Sequence, residues 1–210
     1  FLDVIDRDID VFFEICTFHS NYNSLLSLNL DRANLIIRIS HFTNNSALVH
    51  SGGALYLYSL HDYSFCHLFN VTFDDNKASS HGGAIAFDSD IDTQVILELC
   101  SFDNNYATEA NAIFARSVNM TIDACKFFNN INKTMRNEYQ LFVELWNSTS
   151  YFLNVRSNYG RVRLEGDAST MHLFHMCRFT FDTPSFSKML KNKPIKSTKS
   201  LFSDPPYMIH

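Results

Sequence analysis

The chain has 210 residues, 46% of them apolar and 20 of them Phe, so it has too much to bury for a disordered protein and enough for one sizeable domain. Its formal net charge of −5 is uneven: from Thr183 onward Lys dominates, which leaves residues 1–182 more acidic than the whole and excludes a nucleic-acid-binding face, since phosphate contacts need clustered Lys and Arg. No apolar run approaches the roughly 18–20 residues a bilayer span needs, and a chain that opens on Phe1 without a preceding h-region is expected to be a piece of a longer exported protein.

In chain order, the first element ends in Cys16-Thr17-Phe18-His19-Ser20-Asn21, and this string returns around Phe42/Asn45, Phe73/Asn76, Phe102/Asn105 and Phe127/Asn130. A degenerate copy at Leu153–Asn158 and a final one at Cys177-Arg178-Phe179, with Asp182 in place of Asn, complete the series. A fixed period of this kind signals a solenoid. Before each Phe, apolar residues five back (Phe13, Ile37, Leu68, Leu97, Ile122) and three back (Ile15, Ile39, Asn70, Leu99, Ala124) alternate with mostly polar ones, the pattern of a strand with one buried face. The position two back, held by Cys16, Ser40, Val71, Cys100 and Cys125, is expected to point inward as well, with a bend beside it. After each Phe a polar run ends in Asn, which suits a turn.

A second strand group follows the Asn: Gly52-Gly53-Ala54-Leu55, Gly82-Gly83-Ala84-Ile85 and the weaker Ala110-Asn111-Ala112-Ile113. The pairs Gly52/Gly53 and Gly82/Gly83 are expected at sharp corners, where positive φ or close backbone approach is needed. No stretch of a repeat leaves room for a helix. The expected fold is therefore all-β, a right-handed parallel β-helix of about seven coils over residues 1–182, followed by an irregular basic tail over 183–210. Stacked coils would place Phe18, Phe42, Phe73, Phe102, Phe127 and Phe179 in one interior column and Asn21, Asn45, Asn76, Asn105 and Asn130 in an amide ladder.

F-x-x-N combined with G-G-A-[ILV], carried by Phe42/Asn45 with Gly52–Leu55 and by Phe73/Asn76 with Gly82–Ile85, resembles the tandem motif of the polymorphic outer membrane proteins. That resemblance implies a pectin-lyase-like β-helix used for adhesion and surface display, with no catalytic residues in the repeats. No membrane-anchoring barrel is visible in this sequence.

Several constellations invite chemistry. Asp74-Asp75 has the look of paired carboxylates, and Asp88, Asp90 and Asp92 alternate as calcium ligands do, but the first pair fills ordinary turn positions and Asp88 aligns with Tyr58 and Arg116, as a surface ion pair would. His172-x-x-His175-x-Cys177 has metal-like spacing, yet its side chains should diverge; His50 and His81 read as corner residues. The inward cysteines read as buried thiols, although stacked Cys100 and Cys125 leave a disulfide open. Five sequons occur, at Asn44, Asn70, Asn119, Asn132 and Asn147, of which Asn70 is expected to point inward and stay unmodified. No catalytic, cofactor or metal residues are assigned.

The leading reading is a non-catalytic scaffold at a cell surface or outside the cell, with Tyr56, Tyr58, Phe69 and Phe114 as an outward strip for a protein or glycan partner. The alternative is a carbohydrate-active enzyme, a polysaccharide lyase or glycoside hydrolase of the same fold. A third possibility is an interior spacer with binding done elsewhere.

Overall fold

The structure, a computed structural model, describes residues 2–7, 10–22, 26–31, 34–60, 64–131, 141–157, 161–165 and 169–174, with short strands at 179–180, 195–198, 202–203 and 208–209. Among the described residues every regular element is a strand and none is a helix. The strands stack in parallel as a β-solenoid of about four turns.

The windings lay strand on three faces in turn, and two of them add a short fourth. The first face begins after the glycine corner and pairs Leu26–Asp31 with Leu55–Leu60, and that strand with the start of Ile85–Glu98, then Ile113–Asp123 and Leu141–Trp146. The second face stacks Asp10–Glu14, Asn34–Arg38, Phe65–Phe69 and the later halves of the two long strands, then Thr149–Leu153 and Thr170–Phe174. The third is built from three-residue strands, Thr17–His19, His41–Thr43, Thr72–Asp74, Ser101–Asp103 and Lys126–Phe128, closed by Arg156–Ser157. Ser46–Ala47 and Lys77–Ala78 form the short fourth pairing before the next glycine corner.

Alternation decides what enters the core. On the second face Leu35 and Ile37, Cys66 and Leu68, Val95 and Leu97, and Met120 and Ile122 are buried, while the residues between them face out. On the third face the central residue points in, so the strands Phe18, Phe42, Phe73, Phe102 and Phe127 stand in register. Their rings stack at centroid separations of 4.6, 5.0, 5.0 and 4.8 Å, close to the spacing of neighbouring strands. Burying each such ring contributes roughly 1.5–3 kcal/mol.

Two expectations change here. Among the described residues about four turns stack without interruption, so the coil count differs slightly from the expected seven. The parallel phenylalanine column passes from Phe127 to Ser157, whereas Phe179 lies on a two-residue strand paired antiparallel with Met208–Ile209. Second, the residue three before each Phe does not point inward. Ile15, Ile39 and Leu99 are 75%, 41% and 49% exposed, and Asn70 is exposed too. Each occupies a corner between the second and third faces with φ near +50°, where the chain turns and the alternation stops. A second corner follows the Phe, at Ser20, Asn44, Asp75, Asn104 and Asn129, again with positive φ.

Candidate functional site

Inside the solenoid the asparagines form a directional ladder. Asn76 Nδ2 donates to Asn105 Oδ1 at 3.0 Å and to the Phe42 carbonyl at 2.9 Å, while its Oδ1 accepts from the backbone N–H and Nδ2 of Asn45. Asn45 and Asn105 repeat the pattern, and Asn21 and Asn130 terminate it. Asn45, Asn76, Asn105 and Asn130 are buried, so the ladder satisfies groups that would otherwise be orphaned in the core.

The glycine corners close each winding. Gly52 and Gly82 take φ of +69° and +65°. Gly53 and Gly83 do not, but a Cβ on either would sit 2.2 or 2.1 Å from a carbonyl oxygen of the next winding, that of Gly83 or Asn111.

The outward aromatics are half-buried and fall into two groups rather than one strip. Tyr56 and Tyr58 stack at 5.3 Å on the first face, with His50 6.5 Å from Tyr56. Phe114 lies two windings along from Tyr56, its ring 4.8 Å from His81. Between them in register is Ala86, fully buried although its side chain is on the outward side of the strand. Sequence reasoning overlooked Ala86 and read His81 only as a corner residue; the readable signal was a small residue aligned between two large rings. Phe69 belongs to the second face, 6.3 Å from His67. Burial, then the Asp88 carboxylate, push the Tyr56 hydroxyl above its ordinary pKa. Asp88 itself is ion-paired with Arg116.

Of the other candidates, Asp74 is half-buried beside Asp75 and Asp103, and burial followed by these two charges raises its carboxyl pKa. The side chains of Asp90 and Asp92, together with His175 and Cys177, lie outside the described residues, as do Asn132, Asn158 and Asp182. His172 stacks on Tyr151 at 4.7 Å. Among the described residues no group of three His, Cys, Asp or Glu side chains is arranged to hold a metal ion. Cys16, Cys66, Cys100 and Cys125 are free thiols. Burial raises the Cys66 and Cys125 pKa values well above the ordinary thiol range, and neighbouring Cys100 adds to both. Asn70, expected inside, is exposed, as are Asn44, Asn119 and Asn147.

A parallel solenoid with internal Phe and Asn ladders and glycine corners defines a repeat protein whose interior is standardised and whose outside varies. Residues 70–88, which run from the Asn70 corner through Phe73, Asn76 and the Gly82-Gly83 pair to Asp88, match the family model of the Chlamydia polymorphic membrane protein repeat. No curated protein and no solved structure matches the chain.

Proposed function

We propose that the chain is a non-catalytic scaffold displayed at a cell surface, where its outward faces hold a protein or glycan partner. The observation that carries this reading is the match of residues 70–88 to a surface-protein repeat, on a fold whose buried side chains form ladders and leave the outside free to specialise. The contact face we favour is the first, where Tyr56, Tyr58 and Phe114 offer aromatic area with polar tips beside Asp88 and Arg116. The division into repeats over 1–182 and a basic tail over 183–210 belongs to the same proposal. Purified chain should bind cells or immobilised glycans, and Tyr58→Ala with Phe114→Ala should weaken that binding by roughly tenfold while leaving the melting curve near wild type. Binding unaffected by the double change would reject this face.

One observation favours the enzymatic alternative: Asp74, with its raised pKa between Asp75 and Asp103, has the environment of a general acid. Release of reducing ends or unsaturated products from a polysaccharide panel, abolished by Asp74→Ala, would establish it in place of the scaffold reading.

A further inference from the structure

The corner after the Phe borders a groove that lies apart from the first face. Asp75, Asn104 and Asn129 form one wall, and Lys77, Tyr106 and Ile131, each two residues further along its winding, form the other. The buried Asn76 lies between them, and the space has a volume of about 400 Å³. Both walls are held by the stack. The Tyr106 backbone donates to the Asn76 carbonyl and accepts from the Ala78 N–H, each at 2.9 Å. Asp75, Asn104 and Asn129 share a left-handed φ of 51°, 52° and 51°. Asn129 Nδ2 donates to Asp103 Oδ1 of the preceding winding at 3.1 Å, and the Asn104 side chain bonds the Asp74 carboxylate in the same way, so both amides are fixed in orientation.

Three features define a ligand for this groove. Among the described residues its lining carries one carboxylate, Asp75, and one ammonium, Lys77, so it favours neither a polyanion nor a polycation. One wall is made of carboxylate and amide groups; the other offers the Tyr106 ring, with the Lys77 ammonium 5.1 Å from its centroid, and the aliphatic Ile131. A molecule with hydroxyls along its edges and C–H groups across its faces suits both walls, and that describes a pyranose. The last feature is the period. The Phe73, Phe102 and Phe127 rings, two residues before the corner, repeat at 5.0 and 4.8 Å, and the walls repeat with them. An extended chain of equatorially 1,4-linked pyranoses advances by about one such step per sugar.

We propose that the groove binds a neutral, extended β-1,4-linked oligosaccharide lying along the solenoid axis, one sugar to each of three windings. Asp75, Asn104 and Asn129 take hydroxyls of successive sugars, and Tyr106, in the middle winding, packs on a C–H face of the central one. The site stands independently of any binding at the first face.

Isothermal titration calorimetry of the intact chain tests the proposal, with cellotetraose and N-acetylchitotetraose as probes and maltotetraose, whose α-linkages curl the chain, as the contrast. Saturable binding of at least one β-linked tetrasaccharide is expected, about tenfold or more tighter than that of maltotetraose. Tyr106→Ala should weaken it about tenfold and Asn104→Gly several-fold. Glycine keeps the left-handed corner while removing the amide, so Asn104→Gly decides the matter should Tyr106→Ala fail to fold. Tyr58→Ala with Phe114→Ala should leave the affinity within about twofold, so failure of the first face and failure of the groove read separately. No saturation by either β-linked sugar, equal affinity for maltotetraose, or affinity unchanged in Asn104→Gly would each overturn the proposal.

Discussion

Asn76 ties three windings together through one amide, donating to Phe42 and Asn105 and accepting twice from Asn45. Asn76→Ala would take the acceptor from the buried Asn45 backbone N–H and one hydrogen bond each from the Asn45 amide and the Phe42 carbonyl, and urea denaturation should show a loss of about 2–4 kcal/mol. Asp74 carries the opposite lesson. Its pKa is higher folded than unfolded, so the unfolded chain binds fewer protons as the carboxylate range is crossed, and stability falls as pH rises through it. Melting of Asp74→Asn should accordingly exceed wild type at pH 7 and converge with it below about pH 4. The Phe and Asn positions were legible because a buried ladder admits few residue types and repeats them at every winding. Asn70 was misread for a physical reason: it shares a column with Ile15, Ile39 and Leu99, and apolar residues on an exposed corner look from sequence like one more inward step of a strand.

The corner is the element that sets how tightly windings approach. Gly83 has no Cβ because one would lie 2.1 Å from the Asn111 carbonyl oxygen and 2.5 Å from the Tyr106 amide nitrogen. Both are backbone atoms, which cannot rotate aside, so Gly83→Ala should cost more than about 3 kcal/mol in chemical denaturation. Gly-Gly six or seven residues after the Asn of F-x-x-N made this corner readable in advance. The third copy, Ala110-Asn111, was weaker in sequence yet forms the same turn, with Ala110 at φ 53°. The number of windings was less accessible. Phe179 fits the motif apart from Asp182 in place of Asn, but a motif does not specify which edge a strand will pair with, and in the structure that partner is Met208–Ile209.

At the scale of the molecule, Cys66, Cys100 and Cys125 report on the integrity of the whole stack, since they occupy three successive windings of its core. A thiol reagent at neutral pH should leave all three unlabelled in the native chain and modify them together as denaturant is raised; rapid native labelling of Cys100 would show that the stack opens locally. What the outward faces contact was illegible for a related reason: outward side chains are under no ladder constraint, so their identities carry no period to read.

The Asn-to-Asn hydrogen bonds from Asn21 to Asn130 all run in one direction along the rod. Such a relay has a head and a tail, and its only symmetry is translation by one winding. Excision of residues 77–105 would join Asn76 to Tyr106 and pass the relay on unbroken, since Asn105 and Asn76 are equivalent points 29 residues apart. The shortened rod should still give a cooperative unfolding transition and a β-type circular dichroism spectrum. A cut of the same length begun mid-strand at Val95 would bring the wrong faces together and should yield an insoluble product.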